Sequence, residues 1–298
     1  MTIVKQKPIA IKALWLAARP ATLPAGCVPV IVGSGVALGQ GGFSPFIAIA
    51  TLFGAIFIQI GTNYFNDYAD FKKGADTSDR LGPLRATQQG WLSAATVLKA
   101  ALLSFAIAAL FGIFLILTGG WPIAIVGIAS IIAGIAYTGG PWPLAYVGLG
   151  DVFVFIFFGP IAVVTTYFLQ VNSISFQAWL AAIPVGLLAT AILVVNNLRD
   201  CKTDKQAGKK TLVVRFGSRA ARIEYTILIA LSYSLLIIGW FYSWLQIWCL
   251  LPLFTLPLAL KNIRAIFRLN GRALNPYLAL TAKLELFFGI TLAIGALL

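Results

Sequence analysis

Apolar positions in this chain come in long runs, not in alternation. Nine runs can be placed, at about 14–38, 45–65, 93–117, 121–138, 149–169, 177–197, 223–243, 246–263 and 277–297, separated by short stretches rich in Gly, Pro, Ser or charge. Most approach the roughly 20 residues a helix needs to cross the hydrocarbon layer of a bilayer. The pattern predicts an all-α integral membrane protein, a bundle of about nine transmembrane helices forming a single domain over residues 1–298. The first run continues to about Val36 without a small-x-small cleavage site, so it is read as a helix and not as a signal peptide.

Composition strengthens this reading. Hydrophobic residues make up 60% of the 298 positions and charged residues only 10%, against roughly a quarter charged in a soluble domain. The net charge of +13 invites comparison with nucleic-acid binders, but its distribution argues for orientation in a bilayer. With the N-terminus inside, the outer connections at 39–44, 118–120, 170–176 and 243–246 carry no charge, and all 22 basic residues fall toward the inner side. The lipid bilayer is therefore the expected partner and nucleic acid is not. The chain has no histidine, which excludes histidine bases, histidine-ligated metals and Ser-His-Asp triads. Cys27, Cys201 and Cys249 show no metal or redox spacing.

All nine acidic residues fall on the same inner side, which the orientation of Lys and Arg does not require. Asn63 stands at the inner end of the second run, and Asn66, Asp67, Asp70, Asp76 and Asp79 lie beyond it. If that helix continues inward, Asn63, Asp67 and Asp70 share a face at i, i+4 and i+7. Beyond the sixth run, Asn196, Asp200 and Asp204 form a stripe at i, i+4 and i+8, with Asn197 beside it. The two runs point the same way, which hints at an internal duplication. Two facing rows of hard oxygen ligands suit magnesium, which takes one or two carboxylates together with phosphate oxygens. The flanking Lys72, Lys73, Arg80, Arg85, Lys202, Lys209, Lys210 and Arg215 can hold phosphate oxygens that metal leaves free. A secondary transporter would place such charges near the midplane, where Leu110 and Ile237 are apolar.

Asn66-Asp67-x-x-Asp70 and Asn197-x-x-Asp200-x-x-x-Asp204 resemble the two aspartate-rich motifs of the UbiA-type intramembrane aromatic prenyltransferases. A narrower likeness, to members that prenylate 1,4-dihydroxy-2-naphthoate for menaquinone synthesis, rests on four stretches. These are Ala18-Arg19-Pro20-Ala-Thr22-Leu-Pro24, residues 66–90, residues 137–151 and residues 196–217. The resemblance implies a UbiA-type fold in a bacterial inner membrane, with the active site on its cytoplasmic face. It implies transfer of a polyprenyl or phytyl group from its diphosphate to the naphthoate, with loss of diphosphate and carbon dioxide. Mg2+ would be held by Asp67, Asp70, Asp76, Asp200 and Asp204, the first two and last two being the catalytic set. Asn66, Lys72, Lys73, Arg80, Asn196, Asn197, Lys202 and Lys209 would bind diphosphate, and Arg19, Arg85, Tyr137 and Asp151 the acceptor. Tyr64, Phe65, Tyr68, Phe71, Tyr137 and Trp142 are candidates to face the allylic cation through their rings. Gly139-Gly-Pro-Trp142-Pro lacks the basic residues usual in hydroxybenzoate members, which argues against 4-hydroxybenzoate; it and homogentisate are the alternative acceptors.

Overall fold

The computed structural model describes residues 8–75 and 81–298; Asp76, Asp79 and Arg80 lie outside the described residues. In chain order the helices are α1 (Ala10–Ala17), α2 (Leu23–Gly39), α3 (Pro45–Lys72), α4 (Ala94–Gly119), α5 (Trp121–Ala136) and the single turn α6 (Leu144–Val147). There follow α7 (Gly150–Ile156), α8 (Ala162–Val171), α9 (Phe176–Gln206), α10 (Leu212–Phe241), α11 (Leu256–Arg268) and α12 (Asn275–Leu297). Eight spans among the described residues are long and apolar enough to cross a membrane, with α1 and α2 counted together, as are α7 and α8. The shorter apolar helix α5 is the ninth.

Local chemistry sets the helix ends. Ser93, Ser175 and Thr211 cap α4, α9 and α10 by accepting from backbone N–H groups three residues on. Pro45 and Pro257 sit in first turns, where a missing N–H costs nothing. Between α7 and α8, Phe157–Ile161 widens into a π-helical turn around Pro160. Gly159 there meets Gly186 of α9 so closely that a Cβ on Gly159 would lie 2.8 Å from the Gly186 Cα. Small residues at such a crossing let helix backbones pack without an aqueous hydrophobic drive.

The bundle is built largely of antiparallel neighbours, α3 with α4 and α9 with α10, while α2 is wedged between α8 and α12. α9 is the most enclosed helix and carries much of the main core, Leu188, Val195 and Leu198 among it. Large apolar side chains such as Leu103, Leu110, Leu117, Ile128 and Ile132 are instead exposed on the outside. Such a surface is stable only against lipid tails. Phe176, Tyr242 and Trp244 cluster at the end opposite the acids, ring centroids 5.1 to 5.4 Å apart, as an interfacial aromatic group does. The chain is a multi-pass integral membrane protein.

α3 and α9 both overrun the apolar segments read from sequence, reaching Lys72 and Gln206. Both aspartate rows therefore stand on rigid helix ends, with the segment from Leu81 to Leu92 lying across them as a strap.

Candidate active site

The rows converge on a polar pocket of about 720 Å3, its open mouth included, lined by Asn66, Asp70, Arg85, Asn196, Asn197, Asp200, Asp204 and Lys209, with Arg19, Tyr137 and Thr138. Asp70 is 2% exposed. Its Oδ2 lies 3.1 Å from an Arg85 nitrogen, and its Oδ1 accepts from the Tyr146 hydroxyl at 3.0 Å. Asp200 receives two bonds from its neighbour Arg199, Nε at 2.8 Å and NH2 at 2.5 Å. The same guanidinium donates to Asn196 and to Asn275 at the start of α12. Lys209 joins the rows: its Nζ is 3.3 Å from Asp204 Oδ1 and 4.0 Å from Asp70 Oδ1. Lys73 and Lys209 also stand over the Tyr146 ring, 4.7 and 5.0 Å from its centroid, and Lys73 donates to the Thr138 carbonyl at 2.7 Å. Partial burial pulls the Lys73 ammonium below the ordinary lysine range; Asp70 opposes that shift and Lys209 adds to it.

Asp67 departs from expectation. It is fully buried, and its carboxylate turns away from the pocket to accept from the Ala86 N–H at 3.1 Å and from the Thr87 hydroxyl. The reason is angular. At about 100° per residue, Asp67 lies about 60° from Asp70 on the flank covered by the strap, whereas Asn66 lies on the other flank and faces inward. The row on α3 that faces the pocket thus reads Asn66 and Asp70, and Asp67 is an anchor for the strap that carries Arg85. On α9 the stripe Asn196, Asp200 and Asp204 lines the pocket as the spacing predicts.

Other expectations need correcting. Lys72 and Lys202 are exposed and do not line the pocket, because they fall on solvent-facing sides of their helices; Lys73 is exposed and outside the lining too, though it stands beside the pocket over the Tyr146 ring. Asp151 is buried in the first turn of α7, outside the pocket lining. Of the aromatics, Tyr64, Phe65 and Tyr68 pack into a cluster with α1 and the strap, and Phe71 and Trp142 are exposed. Tyr137 alone of that set reaches the chamber described next. Arg199, Tyr146, Thr138 and Thr87 did not stand out in the sequence. The position of Arg199 beside Asp200 was the one available signal.

Behind the polar pocket lies a largely apolar chamber of about 1320 Å3, its open mouth included, walled by Pro29, Ile58, Ala133, Phe153, Phe157, Phe158 and Ile192 among others. Four residues line both spaces: Arg19, Asn66, Tyr137 and Asn196. Arg19 sits there in a left-handed conformation, φ 54°, uncommon for a residue with a side chain. Asn63 holds that turn, donating to the Ala18 carbonyl at 2.9 Å and to the Thr22 hydroxyl at 3.2 Å.

A family model for the UbiA prenyltransferase family matches residues 27–288. The chain belongs to the UbiA prenyltransferase family. It is 36% identical over 292 residues to the 1,4-dihydroxy-2-naphthoate octaprenyltransferase of Escherichia coli, an alignment covering 95% of each chain. Among solved structures, the apo UbiA homologue from Aeropyrum pernix matches with TM-score 0.71 at 16% identity, covering 91% of this chain and 97% of that one. A UbiA homologue from Archaeoglobus fulgidus, solved with DMAPP and Mg2+, matches with TM-score 0.62 at 16% identity, covering 94% and 99%. These two likenesses carry the UbiA fold.

Among the described residues no three carboxylates or thiols gather closely enough to hold a metal ion by themselves. A cation nevertheless already sits between the rows, the Lys209 ammonium within 4.0 Å of a carboxylate oxygen on each. The donor set fits magnesium taken up jointly with phosphate oxygens, which needs one or two carboxylates, and not a cage made of protein alone.

Proposed function

We propose that the chain transfers a polyprenyl group from its diphosphate to 1,4-dihydroxy-2-naphthoate, releasing diphosphate and carbon dioxide. The observation that carries this reading is the shared wall. A charged pocket and an apolar chamber meet at Arg19, Asn66, Tyr137 and Asn196, as an amphiphile with an anionic head and a long hydrocarbon tail requires. The named relatives that prenylate this naphthoate support the choice of acceptor.

Asp70, Asp200 and Asp204, with Asn66 and Asn196, would hold Mg2+, which when bound neutralises the departing diphosphate. Lys209 and Lys73 bring fixed positive charge to the diphosphate oxygens from the face of Tyr146. Arg85 and Arg199 hold the Asp70 and Asp200 carboxylates in place before substrate arrives. The allylic C–O bond breaks at the junction of the two spaces, the electron pair leaving with the diphosphate. Phe153, Phe157 and Phe158 offer ring faces to the cation while excluding water from it. Arg19 is placed to hold the naphthoate carboxylate at the same junction. The ring carbon bearing that carboxylate forms the new C–C bond, and carbon dioxide leaves without the bonding pair, which restores the aromatic ring. The product is the quinol form of demethylmenaquinone. The one-sided distribution of basic residues supports a reading in which this chemistry takes place at the cytoplasmic face of a bacterial inner membrane.

Purified protein in detergent, given the naphthoate, a polyprenyl diphosphate and Mg2+, should yield the prenylated quinol and carbon dioxide in equal amounts. Product from 4-hydroxybenzoate in place of the naphthoate would overturn the acceptor.

A further inference from the structure

α11 has three faces. Ala259, Asn262 and Ile266 turn into the bundle and are buried. Leu260 and Phe267, 50% and 49% exposed, turn outward as lipid-facing residues do. Between them and the next helix, Lys261, Arg264 and Arg268 recur at i, i+3 and i+7 and fall within about 60° of one another. With Tyr277 of α12 these three cations line an open groove of about 640 Å3, adjoining solvent included, that shares no lining residue with the polar pocket or the apolar chamber.

The cations of the groove differ from those that serve the active site and the end of α11. Arg85, Arg199 and Lys209 are committed to aspartates, and Arg222 donates to the Ile266 and Leu269 carbonyls that end α11. Among the described residues, no ion pair or side-chain hydrogen bond engages Lys261, Arg264 or Arg268. Orienting the protein in the bilayer needs basic residues near the inner surface, but it does not need three of them unpaired along one helical groove beside a phenol. Three converging cations match the oxygens of a phosphodiester, and Arg does so through a planar fork.

We propose that this groove binds the phosphate headgroup of an anionic phospholipid from the same leaflet, with acyl chains lying along Leu260 and Phe267. The charge complementarity and the adjoining lipid-facing apolar row both point to a lipid over a soluble anion. Thermal unfolding of the full chain in neutral detergent tests it, titrated with phosphatidylglycerol, with phosphatidylcholine or with inorganic phosphate. Phosphatidylglycerol should stabilise the protein, and the triple variant Lys261→Gln, Arg264→Gln, Arg268→Gln should need at least tenfold more of it for the same shift. Equal stabilisation by phosphatidylcholine, or an unaltered response in the variant, would overturn the site. Inorganic phosphate reproducing a shift that the triple variant loses would overturn the choice of lipid. Native mass spectrometry of the unaltered protein gives a reading that does not depend on the variant folding. It should retain phosphatidylglycerol after phosphatidylcholine has dissociated, and equal loss of both counts against the proposal. Prenyl transfer from a short, detergent-soluble donor should be unchanged in the triple variant.

Discussion

Asp70 on α3 and Asp200 on α9 stand at corresponding ends of two helices, yet their counter-charges come from different distances along the chain. Asp200 is held by the residue beside it, Arg199. Asp70 depends on Arg85, 15 residues further on in the strap, and on Tyr146, 76 residues away. The α9 row takes its first counter-charge from its own helix, and Asn275 of α12 and Lys209 just beyond α9 complete it. The α3 row is assembled by tertiary structure and works only while the strap is docked. Asp67 does the docking, its carboxylate accepting from the Ala86 N–H and the Thr87 hydroxyl.

The strongest challenge to this contrast removes one charge from each row. Asp70→Asn and Asp200→Asn should each lower kcat by on the order of 10^2 to 10^3, the usual effect of losing a group that stabilises developing charge. A much smaller loss at either position would mean that this row does not face the leaving group.

Asp67→Ala sharpens the comparison because it strikes the strap and not the pocket. It leaves the buried Ala86 N–H without its acceptor and the Thr87 hydroxyl with only the longer bond to the carbonyl of residue 67, at a cost of about 1–3 kcal/mol. A lower Tm and faster proteolysis within 81–92 should follow, in contrast to Asp70→Asn, which should leave the strap protected. Equal proteolysis of the two variants would remove the distinction.

The gentlest test concerns Lys73. Its ammonium titrates below the ordinary lysine range, so as pH rises its positive charge is lost before that of a normal lysine. The alkaline limb of the activity profile should follow that loss. In Lys73→Arg, whose guanidinium stays protonated, the limb should move to higher pH; an unmoved limb would show that Lys73 does not contribute charge to the reaction.

How far these features could be read from the chain follows from the same contrast. The α9 stripe was legible because all its parts lie on one helix with a fixed angular step. So were the membrane spans, whose apolar runs have no other use. The orientation of Asp67 was not legible, since a spacing of four residues places two side chains near one face but does not say which flank a distant strap will cover. The chamber aromatics were missed for a related reason. Phe153, Phe157 and Phe158 look like any apolar helix, and only the π-helical turn at Phe157–Ile161 and the packing on α9 aim them inward.

Gly82 contributes no functional group, yet a Cβ there would lie 2.6 Å from the Arg199 NH2. The strap thus rests on the arginine of one row at Gly82 and reaches the aspartate of the other through Arg85. A single methyl at that point of contact would force the guanidinium that holds Asp200 to shift, so a connecting residue bears on a charge pair in which it takes no part. The two halves of the molecule are gauged against each other by a spacer one hydrogen wide.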